Sequence, residues 1–583
     1  MFSVENVVVD YYPDLANTDR FTTRKLVSFL RYLFHESEIQ QFEQKYSHLA
    51  GFDFIEQVLN HFDFGYRVRD RDIERIPANG RLVIIANHPL GTLDGLVLLK
   101  LVRKVRPDVK VVANVMLTSL QAMQPVLLPV DNINSKTSRD SLKKISAYLE
   151  AEGAVIMFPA GEVSRMGPQG IKDGKWNRGF LRIASQYSAP ILPVHVNGRN
   201  SLVFYALSFL ARPLSGLWLV HEMFKQGSNS VEIKIGEKID YSEYSSIELG
   251  LNEKVTLFKR HLYRIGKDRK PLFRTRASIA HPEDTRLVRK ELNDCEYLGA
   301  TDDNKQIYLY RFRHDSAIMR EIGRLRELSF RAVGEGTLDK RDIDRYDSHY
   351  MHLLLWDSEE LEIAGAYRLC DASMTLSTHG IDGLYTSSLF YFNQDMIRYC
   401  HRGLELGRSF VQPKYWGRRS LDYLWFGIGA LLRKNPQYRY LFGPVSISDL
   451  YSSEAKEILV HFYRHYFGGD DRPARALSPF TILEPRQREL DAAFNGGDYR
   501  EDFRRMKAML ADLGYTVPTL FKQYTEVCEQ GGVMFSDFNI DRNFSDCIDG
   551  FVIVDIERLR PAKRQRYLGE SASVLRILDR KTA

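Results

Sequence analysis

The sequence is poor in cysteine, with five in 583 residues (Cys295, Cys370, Cys400, Cys528 and Cys547) and no close pair among them. That spacing excludes a zinc-ligand pattern and a disulfide framework, so no metal is expected and the compartment should be reducing. A long apolar run free of charge is also missing. The most apolar stretch, Leu202 to Val220, carries Arg212 and Pro213 near its centre, and a central arginine costs roughly 2.5–3.5 kcal/mol in a bilayer. It therefore reads as a monotopic or buried segment. The opening MFSVENVVVDYYPD places acidic residues where a leader needs basic ones, so a cytoplasmic location is expected. Net charge is small as well: 81 Lys+Arg against 75 Asp+Glu leave +6. Any attraction to an anionic partner must come from local clustering, and no nucleic-acid partner is expected.

What is present is enough chain for at least two cores, with 44% hydrophobic and 27% charged residues, as in ordinary globular proteins. Residues 1–75 form an N-terminal helical region, in which Thr22 or Thr23 is the expected N-cap before KLVSFLRYLF. Lys25 and Arg31, beside Leu26, Phe29, Leu30 and Leu33, suit a helix lying on lipid or one packed on its own domain. Residues 76–255 alternate short apolar runs with helical stretches (RLVIIA, LVLLKLVRKV, VKVVAN, SLKKISAYLEAEG, AVIMFP, RGFLRIASQY, APILPVHV), which predicts an α/β domain. Residues 256–285 read as a basic linker, with eight Lys/Arg and one Asp between Lys259 and Arg276. Such a stripe is either a solvated face or a docking site for an anionic membrane surface. Residues 286–583 predict α+β, with strands at CEYLGA, QIYLYRF, HLLLWD, EIAGAYRL, GLELGRSFV and YRYLFGPVSI.

In RLVIIANHPLGTLDG a buried strand runs directly into Asn87, His88 and then Asp94. An imidazole beside a carboxylate is a general base beside its orienter, suited to taking a proton from an alcohol. The segment resembles the glycerolphosphate acyltransferase family, in its hemolysin-like branch, through Asn87, His88, Pro89, Gly91, Leu93, Asp94 and Gly95. Five residues separate His88 from Asp94 where the family's usual signature has four. FPAGEVSR resembles the family's third block, carrying over Pro159 and Gly161. Ala160 stands where a glutamate is usual, with Glu162 two residues on and Arg165 closing the block. APILPVHVNGRNS resembles the fourth block through Pro193, and VLLPVDN gives no match to the block with the phosphate-binding arginine. The resemblance implies His88 and Asp94 as catalytic, Pro159, Gly161, Glu162 and Arg165 as substrate-binding, and an acceptor other than a phosphate ester.

From RLRELSFR to GLELGRSFVQPKYWGRRSLDYLWFGIGALL the second half resembles the ornithine N-acyltransferase family, which is similar to the acyl-homoserine-lactone synthases and the GNAT fold. The resemblance places Asp344, Asp347, Arg368 and Arg408 around an amino-acid acceptor, with Glu405 as base. Carboxylates can hold or deprotonate an ammonium, and an arginine can clamp a carboxylate. The passage Val411 to Ser420 leads a strand through a loop into a helix whose free N–H groups can take an anion. Gly417, Arg418, Arg419 and Ser420 are the expected acyl-donor contacts, with acyl carrier protein or coenzyme A as the carrier.

Both resemblances in one chain match the arrangement of bifunctional ornithine-lipid synthases. N-acylation of ornithine by a 3-hydroxyacyl group would create the hydroxyl that the first domain then esterifies, at the inner face of the cell membrane. Glycine as the amino acid, a phospholipid-remodelling acyltransferase, and a membrane-disrupting hemolysin-like protein are the alternatives.

Overall fold

The structure is a computed structural model that describes residue 4 and residues 20–569, apart from 115–119, 131–138, 168–169, 211, 227–228, 470–471 and 495. The chain divides into two compact units at His281–Pro282. The α/β and GNAT-like α+β domains expected from the sequence are those two units.

The first unit is built on nine strands: β1 (Gly65–Val68), β2 (Leu82–Ala86), β3 (Val109–Asn114), β4 (Leu127–Val130), β5 (Ala154–Met157), the short hairpin β6 (Arg165–Gly167) and β7 (Gly170–Lys172), β8 (Ile191–Asn197) and β9 (Ser230–Ile235). Seven of them form one sheet in the order β1-β9-β8-β2-β5-β3-β4. Every pairing is parallel except that of β8 with β9. Strand β2 is central and wholly buried, which is why RLVIIA reads as a continuous apolar run without alternation. Its side chains still obey the two-residue period. Leu82, Ile84 and Ala86 enter one core, with helices Phe52–His61 and Thr92–Arg103, while Val83 and Ile85 enter the other, with helices Arg139–Glu150, Gly179–Gln186 and Leu251–Ile265.

The linker reading needs correction, because most of residues 256–285 belongs to this first unit. Helix Leu251–Ile265 buries Val255, Phe258, His261 and Leu262, and Phe273 closes on Phe258 with ring centroids 4.5 Å apart. The helix is amphipathic, and its charged face had hidden a periodic apolar one. The apolar run Leu202 to Val220 folds into parts of two helices, Leu202–Leu210 and Arg212–Phe224. Among the described residues no helix is long and apolar enough to cross a membrane. Helix Arg20–Leu33 begins before Thr22 and Thr23, so neither is its N-cap. The side chains of Lys25, Leu26 and Arg212 to Leu217, and nearly all of the opening segment, lie outside the described residues.

The second unit carries an eight-stranded sheet in the order β10-β11-β12-β13-β15-β16-β19-β18. Its members are β10 (Glu296–Ala300), β11 (Lys305–Arg311), β12 (Met351–Asp357), β13 (Glu362–Asp371), β15 (Gly403–Val411), β16 (Tyr440–Ile447), β18 (Val533–Asp541) and β19 (Cys547–Asp555); β14 (Phe390–Phe392) and β17 (Ala474–Ala476) pair separately. All six strands expected from sequence are found, and the edge hairpin β18–β19 is an addition. The one parallel pair, β15 with β16, stays in register only over Gly403–Glu405 and Tyr440–Phe442. At Gly443 the strands still approach so closely that a Cβ would sit 1.9 Å from the carbonyl oxygen of Leu406, so a glycine is required there.

Phe258 to Ala should cost about 3–5 kcal/mol as a large-to-small change in a core and lower the melting transition of the first unit, followed by calorimetry. An unchanged transition would return this segment to the status of a linker.

Candidate functional site

Strand β2 ends at Ala86 and delivers Asn87 and His88 to the C-terminal edge of the sheet, where open α/β sheets place their chemistry. Asn87 fixes the exit. Its Nδ2 donates to the carbonyl of Val196 at 2.8 Å, and its Oδ1 accepts from the Val196 N–H at 2.8 Å, tying the loop to β8. Asp94 sits in the first turn of helix Thr92–Arg103, fully buried, and its Oδ2 accepts the N–H groups of Leu90 at 2.7 Å and Gly91 at 3.2 Å. The same oxygen lies 3.2 Å from His88 Nδ1, close but not yet aligned as a hydrogen bond. Burial raises the pKa of the Asp94 carboxyl, and His88 and the two amides work against that rise. With Nδ1 facing Asp94, Nε2 is the nitrogen left for a substrate hydroxyl.

The third block packs directly on this loop. The N–H of Ser164 donates to the carbonyl of His88 at 2.7 Å, and the Phe158 ring lies 4.1 Å from the imidazole, centroid to centroid. Pro159 and Gly161 line the same cavity as His88. Glu162 and Arg165 pair with each other at 2.9 Å, Arg165 also donating to the carbonyl of Ser208, and neither is among the lining residues. The cavity is ≈1020 Å³ and mainly apolar, walled by side chains such as Phe42, Phe54, Leu96, Leu99, Met123 and Phe224. It is shaped for a hydrocarbon chain with one reactive end.

Sequence reasoning missed Asp173. Its Oδ1 accepts from the His88 N–H at 3.2 Å and the Ser164 hydroxyl at 2.5 Å, and its Oδ2 accepts from Trp176 Nε1 at 2.8 Å. One buried carboxylate thereby joins the two motifs. Lys259, read as part of a linker, donates to the carbonyls of Asp173 and Gly174 at 2.8 and 2.6 Å and holds that loop in place. A lone Asp in a Gly/Lys loop has no pattern to betray it. The helices at 36–61 contribute much of the apolar wall, also unassigned from sequence.

In the second unit four of the five expected acceptor residues form one network, with Asp347 and Arg368 buried and Asp344 and Arg408 half-buried. Arg368 Nη1 donates to Asp344 at 2.6 Å and Asp347 at 3.3 Å. Arg326, not foreseen, donates to Asp347 at 2.8 Å and approaches His352 Nδ1 at 3.1 Å. Burial opposes ionisation of Asp347, but Arg326 and Arg368 outweigh it and hold the carboxyl well below its ordinary range. Burial, with Arg326 adding to it, pushes His352 down to about 3, so it stays neutral and can accept from the arginine. Arg408 has φ +46, at the irregular stretch of β15 opposite Ala366 and Arg368. That kink turns its side chain to within 3.1 Å of Asp342, and Nη1 donates to the Tyr385 hydroxyl at 2.9 Å.

Glu405, the fifth, is buried and bonded to other partners. Its oxygens accept the Tyr350 hydroxyl and the Thr386 N–H, the latter at 2.8 Å, and burial raises its pKa. Any proton it takes from an amine must pass through Tyr350 or follow that hydroxyl's displacement. Of the donor set, Gly417 has φ +73, Ser420 is buried with its hydroxyl unpartnered, and Arg418 and Arg419 are exposed at the start of helix Ser420–Lys434. That is the arrangement of an anion-accepting helix entrance. Among the described residues no group of His, Cys, Asp and Glu could hold a metal.

The edge hairpin adds Asp549, opposite Ser446, whose hydroxyl it accepts at 2.7 Å. Burial, with Asp541 adding to it, pushes its carboxyl up to about 7. A carboxyl raised in the fold contributes stability that is complete below its unfolded pKa and is lost as pH rises through the folded value. The second unit should therefore lose stability as pH rises from about 4 to about 7, and Asp549 to Asn should flatten that slope in pH-dependent melts. An unaltered slope would exclude Asp549 as its source.

Comparison with known proteins agrees with this geometry. An acyltransferase family model matches residues 7–269, and an acetyltransferase (GNAT) domain model matches 325–426. The chain is 31% identical over 303 residues to a glycine N(alpha)-acyltransferase of Bacteroides thetaiotaomicron, covering 50% of this chain and 89% of that one. It is 30% identical over 232 residues to a lyso-glycine lipid O-acyltransferase of Phocaeicola vulgatus, covering 39% and 82%. It is 26% identical over 245 residues to an L-ornithine N(alpha)-acyltransferase of Brucella abortus, covering 40% and 77%. The chain belongs to the acyltransferases, with a glycerolphosphate-acyltransferase-like α/β domain fused to a GNAT-like domain.

Proposed function

We propose that this chain makes a glycine lipid in two consecutive acyl transfers. The observation that carries this reading is that one chain resembles, over most of their lengths, both an N-acyltransferase of glycine and an O-acyltransferase of lyso-glycine lipid. Glycine is favoured over ornithine by the greater identity and coverage of the glycine enzyme, 31% and 89% against 26% and 77%. The buried network supports the same choice. Asp347 is taken up by Arg326 and Arg368 and is not left for a side-chain ammonium.

In the second unit the amine nitrogen of glycine attacks the thioester of a 3-hydroxyacyl carrier. The C–N bond forms, the C–S bond breaks, the amine's proton passes toward Glu405, and the thiolate leaves. Acyl carrier protein is the donor we favour, docked at Arg418 and Arg419. In the first unit His88 Nε2 takes the proton of the new lipid's 3-hydroxyl, the oxygen attacks a second thioester, and His88 returns the proton to the departing sulfur. Asp94 stabilises the imidazolium between these steps. Contact with the anionic inner membrane surface would use the exposed Phe29, Tyr32, Leu202 and Val203 and the exposed cations clustered at Arg260, Lys267, Arg269, Lys270, Arg274 and Arg276.

The test is the lipid profile of a host without aminolipids that expresses this chain and receives isotope-labelled glycine or ornithine. Label from glycine is expected in a mono- and a di-acylated lipid, and label from ornithine alone would overturn the choice of amino acid. Loss of a general base costs about 10²–10⁴ in rate, so His88 to Ala should accumulate the mono-acylated lipid, whereas an unchanged di-acylated yield would exclude His88 from the second step. On the membrane side, Phe29 to Asp with Tyr32 to Asp should abolish co-flotation with anionic vesicles, and undiminished flotation would exclude that helix as the contact.

A further inference from the structure

The cavity of the first unit is apolar along most of its wall, yet two arginines stand in it. Arg178 and Arg182 line the space that His88 opens into. Both are exposed. They are one helical turn apart, with the Arg182 N–H donating to the Arg178 carbonyl at 3.0 Å, so their side chains rise from one face of helix Gly179–Gln186.

Most cations around the two sites are already committed. Arg165 is held by Glu162, and in the other unit Arg326, Arg368 and Arg408 are each paired with an aspartate. Neither Arg178 nor Arg182 has an ion-pair partner among the described residues. Of the lining carboxylates, Glu38 is already 3.1 Å from His35. Two exposed guanidinium groups without an ion-pair partner, at the wall of an apolar pocket, are available to a ligand's anion, and such a pair can hold a carboxylate through several charge-assisted hydrogen bonds.

We infer that Arg178 and Arg182 bind the carboxylate of the lyso-aminolipid acceptor and so place its 3-hydroxyl at His88. The step rests on the reading of the first unit as the O-acyltransferase of such a lipid. In an N-(3-hydroxyacyl) amino acid the hydroxyl and the carboxylate lie apart by about two residue lengths, roughly 7 Å when extended. Backbone hydrogen bonds tie the base and the two arginines to one cluster of loops at the cavity. The N–H of Asn177, the residue before Arg178, donates to the carbonyl of Pro159 at 2.8 Å, and Ser164 in the same block donates to the carbonyl of His88 at 2.7 Å. Strands β2 and β5 are neighbours, so the base and the two cations come to the same sheet edge. The pair also gives the acceptor site a cation where the family's phosphate-binding block has no match.

The test uses the purified full chain with N-(3-hydroxyhexadecanoyl)glycine, its primary amide, and N-hexadecanoylglycine as a dead-end ligand, with acyl groups on either acyl carrier protein or coenzyme A. The parent enzyme should favour the acid over the amide. Arg178 to Gln and Arg182 to Gln should each lower kcat/KM for the acid about tenfold, mainly through KM. The double variant should treat acid and amide alike, Arg to Lys at either position should restore part of the preference, and the donor KM should not move. An acid preference that survives the double variant would overturn the inference. So would a rise in donor KM with the acid preference intact, which would assign the arginines to the carrier's phosphate. Binding of the dead-end ligand separates this from the parent reading. Carboxylate-dependent binding that both arginines support, without turnover of any lyso-lipid, would keep the carboxylate site and remove the O-acyltransferase reading; turnover without acid preference would do the reverse.

Discussion

A carboxylate buried at the end of a strand must be satisfied, and much of the organisation of both sites follows from that constraint. In the first unit Asp94 and Asp173 are inside the protein, where an unpaired carboxylate would cost several kcal/mol. The loop after β2 is folded back to supply amides to Asp94, and that fold presents His88 to the cavity. Asp173 is met by the His88 N–H, the Ser164 hydroxyl and the Trp176 indole, which brings FPAGEVSR against NHPLGTLD. Gly91 is the point at which this loop has no freedom. Its φ is +89, and a Cβ would sit 2.6 Å from Leu219.

The second unit meets the same constraint with arginine added to backbone, since Asp347 also accepts the Asp344 N–H at 2.8 Å. Asp347 is enclosed by Arg326 and Arg368, and removing one member of such a buried set typically costs 3–5 kcal/mol because the other charge is stranded. Rigid ion pairs suit a small acceptor that must be held by its charges, as an amino acid is. The acceptor proposed for the first unit sets the opposite problem, a long apolar chain with one hydroxyl to present, and the unit offers an apolar cavity with His88 opening into it. The contrast between a dry charged network and an apolar cavity follows the difference in substrate that the two proposed steps require.

Much of this could be read from the amino acids, for identifiable reasons. RLVIIA and GLELGRSFV are strands because β-branched and aromatic residues cluster between turn residues, and Ser420–Lys434 is a helix at the bounds its sequence suggests. His88 and Asp94 were legible because both lie in one short segment. Arg326, Asp173 and Lys259 were not, since each acts on residues 21 to 86 positions away and nothing local marks it. Lys259 was misplaced for a further reason. Eight cations in eighteen residues dominate the composition of that stretch, while the apolar residues that decide its burial, Val255, Phe258 and Leu262, recur at helical spacing and are few.

Glu405 shows where a motif and its geometry part. The pattern of charges in Asp344, Asp347, Arg368, Glu405 and Arg408 is readable as a set, but the set divides in space. The aspartates and arginines engage one another, while Glu405 is engaged by Tyr350 and Thr386. Tyr350 in turn accepts the N–H of Tyr385, whose hydroxyl receives Arg408. Tyr350 and Tyr385 therefore connect the two halves of the charged set. A base that reaches its substrate through a tyrosine hydroxyl needs that hydroxyl to pass the proton on, so the phenolic oxygen, more than the carboxylate alone, decides whether Glu405 can serve the amine.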